Sequence, residues 1–337
     1  MPFLPDVTVV VPTFNRPRFL AALLEYFSTR PVTFKIIVSD GSSPEVQEQN
    51  RQTAGKYPGI VDYRASRYGP DFGSAIERIG KDIKAITTEF AVFCADDDLL
   101  MPEGVQAAVE FLRGHPDFVA AHGNYFGASR PNPDTLNLAV TYASQPLDMG
   151  RPLQRLLALC TRYQSIFYAG QRTPDLIGSF PAGAVTAAHF LELSHAFVLV
   201  CRGKLMTLPI PYFIRNEHLG SHPQYDHNPM YFVIKSGQEY LEELLRFRDD
   251  LSRALTEFKD DGTDWRQIID LGYFVFLARC LDPVNFRVNL MTKGVISQAE
   301  LDELTRRSSV SNEIPVPVEA LTPHLKPVAL HGWPALY

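Results

Sequence analysis

Apolar positions in the first third of the chain fall into short runs that alternate with longer periodic ones. Residues 6–12, DVTVVVP, form a β-branched run closed by proline. A short, nearly continuous apolar run predicts a strand buried in a parallel sheet. FLAALLEYFSTR at 19–30 predicts a helix, and FKIIVSDGSS at 34–43 predicts a second buried strand ending in turn residues. Over 74–87, Ile76, Ile79, Ile83 and Ile86 recur at helical spacing, so this helix should lay one face on a sheet. Ser74 with Glu77 three residues on reads as its capping box. FAVFCA at 90–95 predicts the next strand, 102–116 a helix opened by Pro102, and 118–123 another strand. Strands alternating with helices define an α/β sheet.

Beyond residue 123 the periodicity weakens. Asn, Pro, Ser and Tyr dominate 124–150, which reads as a loop-rich excursion. Helical character returns at 151–163 and 184–201, and KLMTLPIPYFI at 204–214 reads as extended. A polar stretch at 215–228 carries His218, His222 and His227. Asn228 and Pro229 open an amphipathic stretch to about 259, Asp264 and Gln267 cap a helix over 265–281, and Ser297 with Glu300 caps another over 298–307. The tail after 313 is punctuated by proline and reads as extended. The division expected is a catalytic α/β domain over 1–220 and a helical extension over 221–337.

Composition narrows the class. Of 337 residues 45% are hydrophobic, enough for a large core. The net charge is −6 with no Lys/Arg block, which argues against general nucleic-acid binding. Cys94, Cys160, Cys201 and Cys280 are far apart, form no CxxC pair and read as reduced core thiols. No charged segment and long apolar core precede the first strand, and the longest apolar stretches, such as 271–281, are too short to span a bilayer. The location expected is cytoplasmic, with peripheral contact to the inner face of a membrane left open.

The chemistry gathers at predicted strand ends. Open α/β sheets bind ligands at the carboxyl ends of their strands. Thr13, Asn15 and Arg16 follow the first strand, Asp40 ends the second, and Asp96, Asp97 and Asp98 follow FAVFCA. Three adjacent carboxylates repel one another and call for a cation. Hard divalent ions take oxygen ligands, and Mg²⁺ commonly uses one or two carboxylates plus substrate phosphates. A solvated turn or a helix N-terminus is the bland alternative. There is no GxGxxG after the first strand, no GxxxxGK[ST] and no GxSxG, which argues against a dinucleotide fingerprint, a P-loop and an α/β-hydrolase elbow.

VVVPTFNRPRFL, IIVSDGSS and FAVFCADDDLLMP, in this order, resemble the family-2 glycosyltransferases of the GT-A fold over residues 6–123. The resemblance implies a Rossmann-like, mostly parallel sheet flanked by helices, with a mainly helical C-terminal extension. It implies inverting, metal-dependent transfer from a nucleotide-diphosphate sugar, a UDP-sugar in the first place, to an acceptor hydroxyl in glycan or polysaccharide synthesis, with Mn²⁺ or Mg²⁺. Pro12 and Thr13 would floor the nucleoside pocket with Asn15 and Arg16 beside it, and Asp40 would accept from the base. Asp96 would face the ribose and Asp97 the metal. Ala95 stands where many relatives have the first acidic residue, so Asp98 is a second metal candidate. The family's base lies on a later helix, where Glu192 is preferred over His189, and His218 is a candidate for the diphosphate or metal. A nucleotidyltransferase and a catalytically silent sugar-nucleotide-binding scaffold are the competing readings. The first usually carries a Gly-rich, basic signature that PTFNRPR lacks; absence of turnover would mark the second.

Overall fold

A computed structural model of the chain describes residues 3–31, 33–69, 71–132, 135–142, 144–181, 188–216, 237–258, 263–280 and 299. The elements, in order, are β1 (Phe3–Thr13), α1 (Pro17–Ser28), β2 (Thr33–Asp40), α2 (Pro44–Ala54), β3 (Val61–Ala65), α3 (Phe72–Lys84), β4 (Phe90–Phe93), β5 (Leu99–Leu100) and α4 (Pro102–Gly114). There follow β6 (Phe118–Asn132), β7 (Thr135–Tyr142), α5 (Pro152–Thr161), β8 (Gly170–Arg172), α6 (Thr173–Ser179), α7 (Ala188–Arg202), β9 (Lys204–Asn216), α8 (Gly237–Leu255) and α9 (Trp265–Cys280).

The β-branched run of β1 becomes the middle of the parallel half of the sheet. Val7, Val9, Val10 and Val11 are all fully buried, because helices cover both faces of a parallel sheet. β1 pairs with β2 on one side and β4 on the other, and β3 extends the edge beyond β2, all parallel. The described strands run β3-β2-β1-β4-β8-β6-β9-β5, with β7 paired to β6. From β4 to β8 the direction reverses, so the sheet is mixed: a parallel half carrying the acidic motif and a half built on β6 and β9. β6 and β9 approach closely at Gly123. A Cβ on Gly123 would lie 2.3 Å from the Ile210 carbonyl oxygen.

Several expectations need correction. The stretch 124–150 is not mainly loop: β6 continues to Asn132 and turns back as β7. Leu136, Leu138 and Val140 alternate along β7 and pack on the core from one face, a period-2 signal masked by the polar residues around it. α3 is capped by Asp71, whose carboxylate accepts from the Ser74 amide at 2.8 Å, and not by Ser74 itself. α2, β3, β8 and α6 are further elements without a counterpart in the sequence reading. The cap at Asp264 is present, since its Oδ1 accepts from the Arg266 amide at 3.0 Å.

α8 and α9 share a core with α5 and α7. Phe247, Leu251, Ile269 and Tyr273 pack with Leu156, Leu159 and Phe197, and the Tyr240 and Tyr273 hydroxyls meet at 2.8 Å. The helical extension therefore braces α7, which also faces the acidic motif. The expected boundary at 220, the helix over 298–307 apart from residue 299, and the extended tail lie outside the described residues. Among the described residues no helix is long and apolar enough to cross a membrane.

Candidate active site

The ends of β1, β2 and β4 lie side by side, and the turns that follow them are tied together. Asn15 adopts a left-handed backbone with φ 55°, a conformation that Asn tolerates better than most residues. Its amide donates to Ser42 Oγ at 2.8 Å, and its Oδ1 accepts from the Ser43 amide at 2.9 Å. The reversal at Asn15 precedes Arg16, the N-cap of α1, with Pro17 at the first helical position. The Arg16 side chain reaches the acidic motif. Nη1 donates to Asp96 Oδ1 at 2.8 Å and lies 2.8 Å from Asp97 Oδ2. Thr13 Oγ1 donates to Asp96 Oδ2 at 2.7 Å. Asp98 Oδ1 accepts from the Asn216 amide at 2.9 Å, which pins the end of β9 to the motif.

All three aspartates are buried. Burial pushes the Asp96 carboxyl up to about 6; Arg16 opposes the shift and Asp97 adds to it. Burial and the Asp97 charge push Asp98 well above the usual carboxylate range, against Arg215 and the Asn216 amide. Burial works against the Arg16 charge, but Asp96 and Asp97 outweigh it and hold the guanidinium above its ordinary value. The cluster is short of positive charge.

A cleft of about 230 Å³ opens on this cluster. Pro12, Thr13, Arg16 and the three aspartates line one side, and Glu192 and Arg215 also line it. Glu192 projects from the first half of α7 and is partly exposed. Of the two base candidates, Glu192 reaches the cleft. His189 is buried, with its ring 4.1 Å from Phe190, and is not among the cleft's lining residues. Asn15 and Asp40 are not on the cleft wall either. Asp40 is fully buried: Oδ1 accepts from the Ser42 amide at 2.8 Å, and Oδ2 accepts from Asn50 Nδ2 and the Tyr63 hydroxyl, both at 2.7 Å. His218 lies outside the described residues.

Sequence reading missed Phe14, Arg78, Phe167 and Tyr168, which also line the cleft. Phe14 stacks on Tyr68 at 5.7 Å, and Phe167 on Phe93 at 4.5 Å. Arg78 donates to the Ser39 carbonyl. A signal for Arg78 exists, since it lies one turn after Ala75 on α3, and both line the cleft. No comparable signal marks Phe167 or Tyr168, which come from a loop between α5 and β8.

Behind Phe167, and in edge contact with it, sits His195. Its Nδ1 is 3.0 Å from Ser179 Oγ, and burial lowers its pKa to about 3. The unfolded chain takes up a proton below about pH 6.5 that the folded imidazole refuses. The stability from this residue is complete above that pH and is lost as pH falls towards 3. His195→Gln is expected to be less stable than the wild type at pH 7 and to narrow the gap by up to about 1.4 kcal/mol per pH unit on acidification. Denaturant unfolding of both proteins at pH 7 and pH 5 checks this; an unchanged difference means the imidazole is not held neutral.

Residues 5–159 match the family described as Glycosyltransferase like family 2. The fold is similar to that of S. aureus TarS residues 1–349 in complex with UDP-GlcNAc, with TM-score 0.55 and 17% identity, covering 89% of this chain and 78% of that one. Mannosyltransferase PcManGT from Pyrobaculum calidifontis, in complex with GDP-Man and Mn²⁺, aligns with TM-score 0.46 and 16% identity over 97% of this chain and 81% of its own. Comparison with curated protein sequences gives no match. The chain therefore shares a GT-A-type fold with TarS, and residues 5–159 are similar to the family-2 glycosyltransferases.

Proposed function

We propose that the protein is an inverting, metal-dependent glycosyltransferase that moves a sugar from a nucleotide-diphosphate sugar, a UDP-sugar in the first place, to an acceptor hydroxyl. The observation that carries this is the cleft itself: one carboxylate, Glu192, shares it with three buried aspartates and Arg16. Such a pairing separates a base from a charge-handling end. The acceptor oxygen attacks the anomeric carbon, the bond to the diphosphate oxygen breaks, and Glu192 takes the hydroxyl proton. Attack opposite the leaving group inverts the anomeric configuration. Arg16 and Arg215 bring positive charge to the side where the departing diphosphate gains negative charge, an electrostatic role that a dry cleft strengthens.

The donor set suits a hard divalent cation. Asp97 would hold it, with Asp98 as the second candidate, and Mn²⁺ or Mg²⁺ would act as a Lewis acid on the phosphate oxygens. Among the described residues no ready-made cage of three or more ligands exists. That suits an ion whose shell is completed by substrate phosphates. Asp96, fixed by Thr13 and Arg16, would face the ribose.

Asp97→Ala is expected to abolish the Mn²⁺-dependent part of UDP binding while leaving the fold intact. Removing one of three repelling carboxylates relieves repulsion. Calorimetric titration of UDP with and without Mn²⁺ tests it, and an unchanged metal dependence would remove Asp97 from the metal site. Release of free sugar from labelled UDP-sugars, with and without Mn²⁺, tests the reaction class; nucleotide binding without turnover under any condition would favour a silent scaffold.

A further inference from the structure

The Arg16 guanidinium bridges Asp96 and Asp97. The same Nη1 is 2.8 Å from Asp96 Oδ1 and 2.8 Å from Asp97 Oδ2. A divalent cation that Asp97 would hold competes with that nitrogen for the same carboxylate. The guanidinium is held there from several sides. Its side chain is 12% exposed and lies over the Phe19 ring at 5.4 Å. Its backbone is aimed by the Asn15 reversal, which the Ser42 and Ser43 bonds lock. A long, flexible side chain fixed this way has already lost its conformational entropy. The arrangement is built, and it opposes a metal in the empty enzyme.

We infer that Arg16 is a displaceable counter-ion that withholds Asp97 from the metal, and Asp96 from the ribose, until a diphosphate arrives to accept the guanidinium. The inference rests on the reading of the cleft as a sugar-nucleotide site. Guanidinium pairs with phosphate as well as with carboxylate, in forked geometry. An incoming diphosphate therefore offers Arg16 a replacement partner at the moment it offers the metal extra oxygen ligands. The two events favour each other: metal raises nucleotide affinity and nucleotide raises metal affinity by the same factor. Free enzyme would bind Mn²⁺ weakly, and metal and nucleotide would load together.

The test uses the full chain and Mn²⁺ alone, read by the electron paramagnetic resonance signal of the free ion. Arg16→Gln removes the competitor and leaves two adjacent carboxylates without their shared cation. It is expected to bind Mn²⁺ at least about tenfold more tightly than the wild type, since breaking the two charge-assisted contacts is no longer part of metal binding. Arg16→Lys keeps the charge and is expected to stay near the wild type. In a second measurement UDP is titrated with Mn²⁺ and with chelator. The factor by which Mn²⁺ tightens UDP should be larger in the wild type than in Arg16→Gln. Equal or weaker Mn²⁺ binding by Arg16→Gln overturns the inference. A variant that folds only when Mn²⁺ is present supports it; one that folds at no Mn²⁺ concentration makes Arg16 a fixed part of the core and overturns it. If no protein binds UDP or GDP under any condition, the sugar-nucleotide reading fails, and the Mn²⁺ comparison still decides whether Arg16 competes with metal.

Discussion

Glu192→Gln is expected to lower turnover by roughly 10²–10⁴-fold, the usual contribution of a general base, with UDP affinity nearly unchanged. Gln keeps the size and polarity of the side chain and loses only the ability to take a proton. The position supports a role in turnover and not in donor binding. Glu192 reaches the cleft from α7, whereas the β1 and β4 turns supply Arg16 and the aspartates. α7 is braced from behind by α5, α8 and α9 through Phe197, Phe247 and Tyr273, so the carboxylate stands on a rigid element. Tyr168 lines the same cleft, and burial raises its phenol well above the ordinary value, with Asp98 and Glu192 adding to the shift. A neutral phenol cannot replace the lost base. Because the acceptor is open, donor hydrolysis with water as acceptor is the first assay, under single-turnover conditions that separate chemistry from release. A Glu192→Gln protein that hydrolyses donor at the wild-type rate, with His189→Gln impaired, would move the base one helical turn back.

The parallel half of the fold was legible because its signals are local. β1, β2 and β4 are short apolar runs, and the run that ends each one fixes where its polar turn begins. The site's first layer followed from the same fact, since strand ends gather at one edge. What stayed hidden is non-local. Asp40 looked open from sequence, yet its partners Asn50 and Tyr63 come from α2 and β3, elements without a clear periodic signal. Arg16 looked like a nucleoside-pocket residue, and its bridge to Asp96 and Asp97 spans about eighty positions of chain. β7 was lost for a different reason: its alternation is clean, but its apolar face is only half-buried and its neighbours are turn formers. The cap of α3 was misplaced by one turn because Asp71 and Ser74 are both good capping residues, and only the backbone direction at Asp71 decides between them.

Asp40→Ala is expected to cost on the order of 3–5 kcal/mol of folding stability, because it strips a charged acceptor from three buried or half-buried donors at once. The Ser42 amide, Asn50 Nδ2 and the Tyr63 hydroxyl all lose their contact. The Ser42 turn in turn holds Asn15 through Ser42 Oγ, so the loss reaches the loop that aims Arg16. Asp40→Asn should cost less, about 1–2 kcal/mol. Asn50 Oδ1 has no hydrogen-bond partner among the described residues, so an amide flip at Asn50 can receive the new N–H. The alternative role, in which Asp40 accepts from the nucleobase, makes the opposite pair of predictions: little change in stability and a UDP affinity reduced by on the order of tenfold or more, as for a lost bond to a charged group. A carboxylate offers about four lone-pair sites; three are used here, and the side chain is fully buried, so a base would have to open the β2 turn to reach the fourth. Urea unfolding of Asp40→Asn and Asp40→Ala, with UDP titration of the folded Asp40→Asn protein, separates the two. Wild-type stability in both variants, together with weakened UDP binding, would show Asp40 to be a reader of the base and not the tie between the turns.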